Sequence, residues 1–342
     1  MRFKGNKLYK VVIVAIATLG FFACNSNQWE IDVSEIDLEL KILHFEKALF
    51  DLPKDEQYAS GVDSIQKEYG QFFDLFTGRI INVGSSSDLG FYNNLNGFIS
   101  DPDMQVVYGD CMNEFSDTEQ ISQELTQAFK HYKYYFPKKP VPDVVSFVSG
   151  FNATLIVTDS ILAFGLDMYL GKNYPYYQML QLPQFKRRKM TPSYIVPDCM
   201  RGWISSDYML EESEDLAGQM IYHGKLMYLM NALMPGYHDS LIFGFTSTQL
   251  QWCKVNEPHV WSFFIDNELL YSQDPNEIIK YVGEAPFTTG FSKESPGCIG
   301  WWLGWNIVNA YMNSHPEISL SELMGIQDAH KLLTESGYKP KW

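Results

Sequence analysis

The 342-residue chain has none of the patterns by which metallopeptidases, serine hydrolases or nucleotide-binding enzymes are read. HExxH, Gly-x-Ser-x-Gly, a P-loop and Gly-x-Gly-x-x-Gly are all missing, and with them the usual metal, nucleophile and phosphate-cradle arrangements. Its five cysteines (Cys24, Cys111, Cys199, Cys253 and Cys298) are far apart, so the CxxC spacing of zinc and dithiol sites is absent. In an exported protein the last four could pair in any of three ways. Four separate buried thiols, a common fate for this small side chain, are expected instead. Positive charge is also scarce, with 26 Lys and Arg against 41 Asp and Glu. Such a surface repels phosphate backbones, which excludes nucleic acid as a partner. No metal and no cofactor are expected. The apolar or small run Val11–Phe22 has 12 residues, short of the roughly 20 that cross a bilayer.

That short run has a specific context. Arg2, Lys4, Lys7 and Lys10 precede it and Ala23-Cys24 follows, so residues 1–23 read as a cleavable secretory signal. A Cys directly after the break resembles the cleavage site of bacterial lipoproteins, with Phe21 standing where Leu is usual. The mature chain then starts at Cys24, whose acyl chains would hold it on a lipid bilayer. Residues 24–34 serve as a tether. Removing the signal leaves 22 basic and 41 acidic side chains, a net of −19, so attachment is expected to depend on the lipid.

The remaining residues, 35–342, carry 46% hydrophobic composition chain-wide and no internal repeat or second Pro/Gly-rich linker, as suits one large domain. Ile36, Leu38, Leu40 and Ile42 alternate with charged residues, as in a strand with one wet face, and helical spacing starts at Phe45. Residues 82–97, rich in Ser and Asn, read as a loop. Ser116-Asp117-Thr118-Glu119 reads as a capping box opening a helix to Tyr135. Residues 144–148 and 154–157 flank Gly150-Phe151-Asn152 and read as a hairpin. After Lys172 the periods are helical, strongest at 211–234, 247–270 and 298–314, with capping boxes at 246–249 and 319–322. The fold class is α+β, with a small sheet in the first half packed on a mostly helical second half.

Three residues stand out. Asp198 and Arg201 are three apart, at ion-pair spacing on a helix, and a surface pair is the plain reading. His223 shares an apolar stripe with Leu216, Met220 and Met227, where a satisfied core histidine is commoner than a ligand. Gly300 and Gly304 lie one turn apart among Trp301, Trp302 and Trp305, which suits a buried helix. Were those indoles exposed in a row, a glycan-binding surface would be the alternative.

Several segments together are similar to the gliding-motility-associated lipoproteins of type B from Bacteroidetes. They are Tyr135-Phe136-Pro137, Ser149-Gly150-Phe151-Asn152, Gly165-Leu166-Asp167-Met168-Tyr169-Leu170-Gly171 and Met220-Ile221-Tyr222-His223-Gly224-Lys225. Trp252 to Glu257, Ala285 to Thr288, Ser295-Pro296-Gly297, Gly300 to Trp305 and Tyr338-Lys339-Pro340 complete the set. The resemblance implies a periplasm-facing envelope lipoprotein, an accessory or scaffold component of gliding and its coupled secretion machinery, with protein partners there. It also implies a distant likeness to putative zinc peptidases. On that alignment Pro197–Arg201 takes the HExxH positions and His223-Gly224 a later Glu-Gly. Pro cannot ligate zinc and Arg stays charged, so the site would be vestigial: Asp198, Arg201 and His223 in one cleft, without metal. A divergent metal-dependent hydrolase using His223 and Asp198 is the enzyme alternative.

Overall fold

The computed structural model describes residues 29–208 and 215–341. The signal, Cys24 and the start of the tether lie outside the described residues, as does the first part of the helix expected at 211–234. Four short strands form one sheet in the order β1-β2-β4-β3: β1 (Ile42–His44), β2 (Asp143–Phe147), β3 (Leu155–Val157) and β4 (Ile161–Gly165). β1 runs parallel to β2, with Ile42 opposite Val144, and β2 runs parallel to β4. Only β3 is antiparallel, on β4. Among the named helices, α1 is Glu119–Tyr135, α2 Ile195–Asp207, α3 Leu216–Leu233, α4 Ser247–Asp266 and α5 Ile299–Ser314.

The hairpin expected between 144–148 and 154–157 does not form, because β4 lies between those strands. β2 and β4 are buried almost throughout, as central parallel strands must be, whereas β3 sits at the edge. The true hairpin is β3–β4, closed by Thr158, whose N–H donates to the Ile161 carbonyl at 2.9 Å. The 36–42 alternation holds for burial, with Leu40 inside and Asp37, Glu39 and Lys41 exposed, but the ladder starts only at Ile42. Before it, side chains of α1 stand in for a neighbouring strand. The Leu40 N–H donates to Thr126 Oγ1 at 3.0 Å, and its carbonyl accepts from Ser122 Oγ.

Two further expectations are corrected. The loop expected at 82–97 ends early, and Phe91–Ser100 is helical because Phe91, Leu95 and Ile99 bury one face at four-residue spacing. At 116–119 no capping box closes, since α1 starts only at Glu119 and Thr118 Oγ1 faces His44 Nε2 at 3.3 Å. The boxes at Thr246 and Ser319 both form.

One contiguous hydrophobic core joins the sheet side to the helices. On the sheet side, Phe45 meets Phe72 and Phe76 edge to face with centroids 5.0 and 4.9 Å away. Beside it Glu46 is fully buried, accepting a hydrogen bond from Ser146 Oγ at 2.8 Å, with His44 Nδ1 3.0 Å away. On the helical side α3 and α5 cross with backbones in contact. A Cβ on Gly304 would lie 1.8 Å from the Met220 carbonyl oxygen, and one on Gly224 2.2 Å from the Gly304 carbonyl carbon. Only glycine fits there.

Candidate functional site

α2 opens with Pro192–Tyr194 as a 3-10 turn and carries Pro197 in its first turn. Backbone N–H groups there have no intrahelical partner, so the proline costs the helix no hydrogen bond. Asp198 follows at the same end, where the helix dipole favours a negative charge.

The Asp198–Arg201 pair is not on the surface. The two side chains are 18% and 17% exposed, with Arg201 Nη1 3.3 Å from Asp198 Oδ1. Asp198 Oδ2 accepts from the Tyr169 hydroxyl at 3.1 Å, and Arg201 Nη2 donates to the Ile242 carbonyl at 2.8 Å. Burial pushes Asp198 above its ordinary pKa, against the opposing charges of Arg201 and Lys189. Close by, the Lys189 ammonium bonds the Glu284 carboxylate. Burial raises the pKa of Glu284, but Lys189 and Arg201 outweigh it and hold that carboxyl below its usual value. Two anions and two cations thus cancel inside the protein, which is what makes their burial tolerable.

His223 reaches the same cluster through an indole. Its ring stacks on Trp301 at 4.7 Å and 19°, and the Arg201 guanidinium lies 5.8 Å from the centroid of that Trp301 ring. Asp198, Arg201 and His223 are therefore brought together around Trp301. Burial first, and the Arg201 charge second, lower the His223 pKa to about 4, so its imidazole is neutral at physiological pH. The expected polar partner of His223 is replaced: among the described residues it meets two rings, Tyr222 and Trp301, and no hydrogen-bond partner. Cys298 lies beside Lys189 and Glu284, with burial pushing its thiol up to about 12. The free space there is about 20 Å³, room for one water. All four cysteines in the described chain are free and buried.

Trp301 and Trp302 are 8% and 3% exposed, so they present no stacking surface to solvent. Sequence reasoning missed Lys189, Glu284 and Tyr169, which are far from Asp198 along the chain. It also missed Asp167, whose fully buried carboxylate accepts from the Ser149 and Phe151 N–H groups at 3.1 and 2.6 Å. Burial raises the Asp167 pKa to about 6 despite those two donors. A signal was available, because the segments that carried the resemblance meet in pairs. Ser149–Asn152 wraps Asp167 of Gly165–Gly171, and Gly224 meets Gly304. Thr288 Oγ1 donates to the Pro296 carbonyl at 2.6 Å, and the Tyr338 hydroxyl donates to Glu257 at 2.6 Å. A larger cavity of about 1050 Å³ lies elsewhere, between α1 and the 233–241 turn, with Glu114, Asp117 and Glu124 at its edge and Val196 and Leu233 among its walls.

Fold and site together define a mixed α+β body, mostly helical, whose central polar residues are engaged with one another. The chain belongs to a family of gliding-motility lipoproteins. The matching family model is described as gliding motility protein GldB and covers residues 26–340. No curated protein and no solved structure matches the chain. Membership of a lipoprotein family implies association with the cell envelope.

Proposed function

We propose that the protein is a non-catalytic scaffold or accessory subunit of the gliding and secretion apparatus, held on its membrane by acylated Cys24. The observation that carries this reading is the pairing of the family's segments with each other as packing and hydrogen-bonded joints. Those joints stabilise shape and leave no reactive group poised: His223 is neutral and stacked, Cys298 is a protonated thiol, and Asp198 is bound by Arg201 and Tyr169. The 1050 Å³ cavity is of a size to receive part of an envelope partner. Asp198, Arg201 and His223 gathering on Trp301 also supports descent from a peptidase layout, with the Arg201 cation in place of part of a metal's charge.

The test is complementation. A strain lacking the gene is given His223→Gln at wild-type abundance. Restored gliding and secretion are expected. Loss of both functions with an abundant, folded variant would show that His223 does chemistry and overturn the scaffold reading.

A further inference from the structure

The described chain begins on the body, not away from it. Trp29 packs edge to face on Tyr228 of α3, with centroids 5.0 Å apart. Five residue steps separate it from Cys24, and an extended chain covers at most about 3.6 Å per residue. Trp29 is therefore within roughly 18 Å of the residue that carries the acyl chains, whatever path the tether takes. The headgroup layer is itself about 6 Å deep on each side of the hydrocarbon. One face of this protein is thus held close to the membrane by geometry alone, and it is the face that surrounds Trp29.

That face differs from the rest of the surface. Tyr228 is raised to about 12 by burial and by the nearby Tyr135, which places the end of α1 next to Trp29. Tyr135 is edge to face with Tyr134 at 5.1 Å, and Tyr134 is 51% exposed. The segment 130–140 carries Lys130, Lys133, Lys138 and Lys139 and no acid, in a mature chain of net charge −19. Lys133 donates to the Pro137 and Lys139 carbonyls, which folds the Pro137–Pro140 turn back on the helix end and leaves Lys138 exposed. Lys139 is paired with Asp207 at 3.2 Å, so that neighbouring acid is already neutralised. Tyr and Trp prefer the boundary between headgroups and acyl chains, where the ring is half dry and the polar atom wet. Lysine stems lie along such a boundary with the ammonium among phosphates.

We propose that the face formed by Trp29, Tyr228, Tyr134, Tyr135, Lys133 and Lys138 rests on the lipid headgroup layer and fixes the orientation of the body on its membrane. The inference rests on the acyl anchor at Cys24 and goes beyond it, since a tether alone leaves orientation free. Acidic surfaces such as the edge of the 1050 Å³ cavity, with Glu114 and Glu124, remain open to a partner protein.

The full acylated protein is reconstituted into vesicles of phosphatidylethanolamine and phosphatidylglycerol, carrying one nitroxide at residue 134, 138, 179 or 172. The four native thiols are buried, so an introduced cysteine takes the label. A lipid bearing a headgroup nickel chelate is expected to broaden the labels at 134 and 138 and to leave those at the exposed Met179 and Lys172 unchanged. Lys138→Glu is expected to reduce the broadening at 134 in these anionic vesicles and not in neutral phosphatidylcholine. Equal broadening at all four positions, with the protein still vesicle-bound, would overturn the orientation and leave the anchor standing. A purified chain whose mass shows no acyl group would overturn both.

Discussion

Replacing Gly304 by Ala tests how the two central helices are held. The added Cβ would sit 1.8 Å from the Met220 carbonyl oxygen, whereas ordinary contact begins at 3.4 Å. α3 and α5 must therefore separate by roughly 1.5 Å, or one must slide along the other, because the obstacle is backbone and cannot rotate away. A gap of 0.5–1 Å already forfeits about a quarter to a half of each dispersion contact, and Met220, Met227, Leu303 and Val308 are all buried in these two helices. Overpacking by a methyl group costs about 1–3 kcal/mol when side chains alone must yield. Here the cost belongs at or above the top of that range, while the gain from Gly to Ala in a helix is only about 1 kcal/mol. A net loss of about 3 kcal/mol is expected, read as a lower urea midpoint by tryptophan fluorescence. Gly109→Ala is the control, since nothing lies within 4 Å of its added Cβ, and it should raise stability by up to about 1 kcal/mol. Gly300→Ala, with neighbours at 3.0 Å, should fall between the two. If Gly304→Ala unfolded at the wild-type midpoint, the helix crossing would not be as described.

Cys24→Ser should move the protein from the membrane to the soluble fraction; continued tight association on envelope fractionation would refute acyl anchoring. Iodoacetamide should modify no thiol in the folded protein and four after denaturation, because burial raises all four thiol pKa values, Cys298 to about 12; a fast-reacting native thiol counted by mass would contradict this. His223, lowered to about 4 from 6.5, binds its proton more readily unfolded, so its contribution is lost as pH falls from about 6.5 to 4, by up to about 3 kcal/mol. Asp167, raised to about 6 from 3.8, does the opposite, because the folded state takes up its proton first and gains stability over nearly the same window. Wild-type stability should therefore change little between pH 4 and 6, His223→Gln should become relatively more stable toward acid, and Asp167→Asn relatively less. Parallel curves for all three proteins in urea titrations would disprove the two assignments.

Local signals in the chain were legible wherever one segment decides its own structure. The three long helical periods, the boxes at Thr246 and Ser319 and the buried α5 all follow from spacing within a few residues. What could not be read was decided across distance. Whether Val144–Val148 pairs with 154–157 depends on β4, which competes for the same edge and wins by burying a more apolar strand. Thr118 abandons its cap because His44 offers another partner 74 positions away. At the site, the i,i+3 spacing was enough to suspect the Asp198–Arg201 pair, but its depth depends on Tyr169, Lys189 and Ile242 arriving around it. His223 was legible as a stripe residue, while its ring partner Trp301 was noted only as a core tryptophan.

The pairing of β1 with β2 also sets the order of assembly. Ile42 to His44 must wait for Val144 to Ser146, about a hundred residues later, before either edge is covered. Until then Glu46 lacks the Ser146 hydroxyl that accompanies it into the core, so the helix Phe45–Phe50 cannot bury its face without stranding a charge. Closing so long a loop is slow compared with forming the helices between. A chain exported amino terminus first thus spends an interval with Phe45, Leu49 and Phe50 exposed. During that interval its most vulnerable apolar surface lies about twenty residues from Cys24, which makes early capture by a periplasmic holdase more consequential here than for a protein whose first strand pairs locally.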